Sequence, residues 1–229
     1  MRSVVTAILL TVLSGMTGAA RAQTPSTPGA PDSGYVALVM QSAFGNVTSQ
    51  SYGAEIGVKV ATNVQLFVEG GQIRNVAPTA LGTNAQTIAG ALTLTETGVG
   101  FSVREPVAFV AGGVKYLIPV TGSKVAPYVL GGFGMARGRR DVTFTVGGTD
   151  VTSSLERFGI VLGTDLSGEF TRPMLVLGGG VAWPVWQRLV VDLQFRFGRI
   201  SAESQETPTR PHDAAVSSGR AGIGLAVRF

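Results

Sequence analysis

Apolar residues return at every second position through a succession of short segments of this chain. The clearest is Leu189, Val191, Leu193, Phe195 and Phe197, which alternate with Val190, Asp192, Gln194, Arg196 and Gly198. A strand sends successive side chains to opposite faces, so this period of two makes one apolar face and one polar face. Tyr52, Ala54, Ile56, Val58 and Val60 alternate in the same way with Gly53, Glu55, Gly57 and Lys59. After Thr62-Asn63, Val64, Leu66 and Val68 alternate with Gln65, Phe67 and Glu69, and the two runs read as a hairpin. Ala108 to Ile118 and Leu175 to Trp183 repeat the pattern. Tyr128 to Arg137 reads as a glycine-rich strand whose facing the pattern leaves open, and the first run, from Tyr35, is apolar on both faces. The last run sets Ala221, Ile223, Leu225 and Val227 against Arg220, Gly222, Gly224, Ala226 and Arg228. The count is eight.

Prolines and connections fit that count. All eleven prolines fall before the first strand, in connections or at strand edges, as paired strands require, because proline cannot donate to a ladder. Connections alternate in length: those after the second, fourth and sixth strands are short and those after the third, fifth and seventh are long. The first, near Asn46 to Gln50, breaks the rule by being short. Within the long connections, Ala85 to Ala91 suits a short helix, and Val142, Phe144 and Val146 before Gly147-Gly148 suggest a raised hairpin. Counting that hairpin would give ten strands, but its arms fall short of the 9–11 residues needed to cross a bilayer.

An apolar face backed by charge and glycine fits a closed barrel with lipid outside and a polar interior. Charged residues are only 14% of the chain, against about 25% in soluble domains. The expected fold is therefore all-β, an eight-stranded antiparallel up-and-down transmembrane barrel with long outer loops. A soluble β-sandwich is the rival. Arg2, the apolar run Val4 to Leu13 and Ala20-Arg21-Ala22 make residues 1–22 a secretory signal peptide. Residues 23–33, with three prolines, form an extended leader, and 34–229 the barrel. The formal charge of +4, two arginines of which leave with the signal, is too small and scattered to suggest nucleic acid.

Glu55, Lys59, Glu69, Lys115, Asp192, Arg196, Arg220 and Arg228 fall on the inward faces. They are expected to form a lumen charge network, since eight strands leave an interior of side-chain width. Inward glycines such as Gly178, Gly180, Gly222 and Gly224 suggest some free space there, and arginine at inward Gln194 should be tolerated better than at Val191 or Leu193. Tyr116, Tyr128, Trp183, Trp186 and Phe229 on the short-turn side, and Phe44, Tyr52, Phe109, Phe195 and Phe197 toward the long loops, are expected to form two aromatic girdles. With no cysteine and a single histidine, His212, a thiolate or multi-histidine metal site is ruled out. No glycine-rich stretch has the lysine of a phosphate loop. Cofactors and catalysis find no support.

The stretches APYVLGGFG (Ala126 to Gly134) and LVLGGGVAWPVWQRLVVDLQFRFGRI (Leu175 to Ile200), with the aromatic-terminated last strand, resemble the small outer-membrane β-barrel superfamily of the OmpA, OmpX and OmpW types. The resemblance runs from Tyr35 to Phe229. It implies the outer membrane of a Gram-negative envelope, with outer-membrane lipids and lipopolysaccharide as partners. It also implies Phe229 as an insertion signal read by the barrel-assembly machinery. A structural or loop-mediated interaction role follows, or alternatively a passive conduit for small or apolar molecules as in the OmpW type, with the ligand unknown. His212 is followed by Asp213 and Ala214, so the His-x-Ser element of the lipid A deacylases is missing.

Overall fold

The computed structural model describes residues 33–161, 166–201 and 215–229. The signal segment, the leader apart from Ser33, and His212 lie outside those residues. The described residues include ten strands: β1 (Gly34–Phe44), β2 (Ser49–Ala61), β3 (Val64–Ile73), β4 (Val99–Arg104), β5 (Val107–Leu117), β6 (Ala126–Val146), β7 (Thr149–Asp150), β8 (Gly168–Pro184), β9 (Leu189–Ile200) and β10 (Val216–Arg228). Among the described residues there is one α-helix, α1 (Thr79–Leu92).

Eight of the strands close a ring in the order β1-β2-β3-β5-β6-β8-β9-β10, with β10 returning to β1 and every pairing antiparallel. The first and last strands meet from Tyr35↔Arg228 to Phe44↔Gly219, so the spanning sheet has no edge to satisfy in lipid. β4 and β7 pair only with the far end of β6, which leaves eight strands in the wall and not ten. Asn63, at φ 62°, turns β2 into β3; asparagine enters the left-handed region more easily than most residues.

The outside of the ring is apolar. Leu38, Met40, Val68, Phe133, Leu193 and Ile223 all lie more than half exposed. A continuous band of this kind on a protein surface marks a contact with lipid or protein. Among the described residues, no outward side chain carries charge until the long-loop ends of the strands. Tyr116, Trp183, Trp186 and Phe229 are exposed near the short turns, and Phe44, Tyr52, Phe195 and Phe197 on the other side. The Phe44 and Phe195 rings sit 6.0 Å apart. Tyr128 and Phe109 do not belong to these girdles, because both point inward and are buried. Nearness to a strand end says nothing about which face a ring occupies.

β6 runs for 21 residues, far beyond its expected end at Arg137. Its outer part pairs with β4 from Val99↔Val146 to Arg104↔Asp141, then reverses at Gly147 and Gly148 (φ 56° and 84°) into the two-residue β7. Val142 and Phe144 thus lie in a raised sheet, but their main partner is β4 and not a hairpin arm. The helix is longer than the small-residue stretch suggested. It buries Leu81, Ala85, Ala89 and Leu92 against Val142, Phe144, Leu155 and Leu166, giving the outer loops a hydrophobic core of their own. Burying a side chain the size of Phe144 or Leu92 contributes about 1.5–3 kcal/mol. At the root of this cap, Asn75 Oδ1 accepts from the Glu105 and Ala77 N–H groups at 2.9 and 3.0 Å. At its tip, Asp150 Oδ1 accepts from the Thr152 hydroxyl and N–H, which holds the carboxyl below the usual range.

Candidate functional site: the barrel interior

Strand register builds the interior. Glu55 on β2 lies directly opposite Glu69 on β3, and Arg196 on β9 directly opposite Arg220 on β10. Two carboxylates therefore face two guanidinium groups across the lumen. The Arg196 guanidinium bridges both glutamates, and its Nε donates to Gln194 Oε1 at 2.9 Å. Arg220 Nη2 donates to Glu69 Oε1 at 3.3 Å. On the Glu55 side, Lys115 Nζ and the Tyr35 hydroxyl both donate to Oε1, at 2.6 and 2.5 Å. Lys115 Nζ also lies 4.6 Å from the Tyr35 ring centre and 4.5 Å from that of Tyr128, a cation–π arrangement. The Tyr128 hydroxyl donates to Asp192 Oδ2 at 2.8 Å.

Glu55, Glu69, Lys115, Asp192, Arg196 and Arg220 are each at least nine-tenths buried. They comprise three cations and three carboxylates, so the enclosed charge is balanced. Two residues expected with them stand apart. Lys59 is exposed and Arg228 only half-buried, both at the short-turn rim. They keep the inward parity, but at the last positions of a strand the inner face opens to water. Phe229 is exposed at the same rim, its backbone bonded to Ser33 and Gly34.

Apart from Gly224, where a Cβ would come no closer than 3.3 Å to any neighbour, the inward glycines named above are crowded positions and not free space. A Cβ on Gly57 would lie 2.2 Å from the Tyr35 ring, and one on Gly180 2.6 Å from the Tyr128 hydroxyl. At Gly178 and Gly222 it would press on Arg196 and Gln41. Gln194 is buried and accepts from Arg196, so an arginine there would have to give up that contact. Gly57→Val is accordingly expected to destabilise the barrel by about 1–3 kcal/mol through overpacking, measured by urea unfolding in micelles. An unchanged midpoint would mean that Tyr35 does not fill the lumen.

Above the charged layer, toward the long loops, the interior changes character. Ile73, Val107, Phe109, Ala136, Met174, Val176, Ile200 and Val216 form one buried apolar cluster. On β5 and β8 alternation does not signal this layer, since Val107, Met174 and Val176 are flanked by outward residues as apolar as themselves. Between the two layers, Gln41, Ser51, Glu69, Phe109 and Arg220 line a cavity of about 10 Å³, room for a single water. Gln41 Nε2 and Arg220 Nε have no protein partner. Among the described residues no group of histidine, aspartate or glutamate is placed to hold a metal ion.

No protein-family model matches the sequence, and no curated protein matches it either. Solved structures do. Neisserial surface protein A superposes with a TM-score of 0.51 at 15% identity, over 86% of this chain and 96% of that one. The N-terminal β-barrel domain of Pseudomonas aeruginosa OprF gives 0.48 at 13%, over 86% and 98%. Ail, the attachment invasion locus protein of Yersinia pestis, gives 0.43 at 11%, over 86% and 97%. With the closed eight-strand ring and the apolar exterior, the first of these shows that the chain has the fold of a small outer-membrane β-barrel.

Proposed function

We propose that this protein is a closed outer-membrane barrel that acts through the cap and rims it displays, as a structural or interaction protein, and neither conducts solutes nor catalyses a reaction. The observation that carries the reading is the stacking of two seals in the lumen. The charge-balanced layer around Arg196 is overlain by the apolar layer around Ile73, Met174 and Ile200. An ion entering from the long-loop side would first have to cross a constriction that excludes water. It would then have to part buried ion pairs that have no solvent to replace them. The folded cap, with its own core, is the part of the molecule best built to meet partners outside the cell. Outer-membrane lipids and lipopolysaccharide would contact the apolar belt and its rims. The barrel-assembly machinery would read β10, whose lipid face ends in exposed Phe229.

Purified protein in planar bilayers is expected to give no stable single-channel steps. Reproducible steps whose size changes on Asp192→Asn or Arg196→Gln would overturn this reading in favour of a passive conduit of the OmpW type.

A further inference from the structure

Charge is distributed differently at the two ends of the barrel. Among the described residues, the long-loop end mixes arginines with six carboxylates, Glu96, Glu105, Asp141, Asp150, Glu156 and Glu169, and the remaining carboxylates lie in the lumen. None of the described carboxylate side chains is at the short-turn end. The charged side chains there are Lys59 on β2, Lys124 in the turn before β6, Arg188 in the turn before β9 and Arg228 on β10. Asp32, which precedes Ser33 in the sequence, leaves the cations in excess. A surface of one sign raises the local concentration of the opposite charge.

Three of these cations are drawn together at the seam. The Lys59 N–H donates to the Ser33 carbonyl, the Ser33 N–H to the Phe229 carbonyl and the Arg228 N–H to the Arg188 carbonyl, each at 2.8 Å. The rim from Lys59 to Arg188 therefore crosses β2, the start of β1, β10 and the turn before β9. Three strand spacings of about 4.8 Å make that roughly 15 Å. Lys59, Lys124 and Arg188 are exposed. Lys59 shares the face of Glu55 and Gly57, and Arg228 that of Ala226, so both are set toward the barrel axis and not toward lipid. A ligand for this rim arrives end-on, from the water below the membrane.

We propose that the short-turn rim docks on an acidic periplasmic polymer of the peptidoglycan kind, whose stem peptides carry carboxylates at intervals. Charge complementarity supplies the sign of the partner, and the inward parity of Lys59 and Arg228 favours a polymer in the periplasm over a bilayer headgroup. A rim of this width is broader than one small anion can bridge. A chain with repeated charges meets several cations at once, and each contact raises the effective concentration for the next. Single exposed pairs are weak and screened by salt, so the docking is reversible. The inference rests on the outer-membrane reading above and goes beyond it by giving the short-turn rim a partner and the residues that hold it.

The test is co-sedimentation of the purified barrel, in zwitterionic micelles, with isolated peptidoglycan sacculi across a salt titration. Wild type should pellet with the sacculi at low salt and be released as salt rises. A Lys59→Gln/Lys124→Gln/Arg188→Gln variant should bind on the order of tenfold more weakly, since one exposed pair contributes about a factor of two. Sacculi with amidated carboxylates should fail to bind wild type, and Arg104→Gln/Arg199→Gln, altered at the other end, should bind as wild type. No pelleting at low salt, equal pelleting with amidated sacculi, or full binding by the triple variant would each overturn the proposal. So would loss of sacculus binding once phosphatidylglycerol is added to the micelles, which would assign the cations to headgroups. An unchanged gel shift on boiling shows that each variant folded. The underlying orientation is checked separately with Ser123→Cys, which an impermeant thiol reagent should label only after the outer membrane is opened. Labelling on intact cells would overturn that orientation and the proposal with it, whatever the sacculi bind.

Discussion

Arg196→Gln is expected to cost about 3–5 kcal/mol of stability, the loss typical of a buried ion pair stripped of one partner. The expectation follows from register. Glu55 and Glu69 stand directly opposite each other on neighbouring strands, where like charges repel, and Arg196 is the one group that bonds to both. Without it, Lys115 still serves Glu55 and Arg220 still serves Glu69, at 3.3 Å. One oxygen of each carboxylate then loses the cation it was bonded to. The measurement is the urea midpoint in phospholipid micelles, read from the mobility difference between folded and unfolded barrel. A triple change of Glu55→Gln, Glu69→Gln and Arg196→Met should recover much of the loss, because it removes the orphaned charges along with their partner. A loss below about 1 kcal/mol for Arg196→Gln would show a lumen wet enough to screen the glutamates.

The second large effect belongs to the outer wall. Leu193 is 58% exposed on the apolar band, midway along β9, so Leu193→Arg places a charge near the middle of the hydrocarbon and should destabilise by about 2–4 kcal/mol. Leu189→Arg, on the same face at the short-turn end, should fall to about 0–1 kcal/mol because the side chain reaches the headgroups. The pair is best read as unfolding free energies in vesicles of one bilayer thickness. Equal penalties at the two sites would mean that the wall does not cross the membrane in this orientation.

How far the sequence speaks depends on whether chemistry and period coincide. On β9 they do: Asp192, Gln194 and Arg196 contrast with Val191, Leu193 and Phe195, and both faces were legible. On β6 they do not. Gly131, Gly132 and Gly134 have no side chain to report a face, and Arg137 to Arg140 look like the start of a loop although the strand continues to Val146. The upper lumen was hidden for a related reason. Val107, Met174 and Val176 are as apolar as the outward residues beside them, so on β5 and β8 alternation vanishes where the interior turns dry. The charged residues were legible as inward, but not their partners. Nothing in the order of residues says that Gly57 makes way for Tyr35, because that contact is set by the pairing of β1 with β2. Lys59 and Arg228 follow the inward period to its end, and only the depth of the barrel separates them from the buried six.

The seam between β1 and β10 has a consequence in time. Its outermost contacts, such as the Ser33 hydroxyl to the Phe229 carbonyl at 3.1 Å, join residues 196 positions apart. Loop-closure entropy must be overcome before contacts so distant in the chain contribute, and pairings of this kind form slowly. Until the seam zips, both marginal strands carry unpaired backbone, and one of them presents Leu38 and Met40 beside it. The half-assembled sheet is therefore at its most adhesive just before completion. Its yield in the cell would depend on how quickly the last strand finds the first, more than on how stable the finished barrel is.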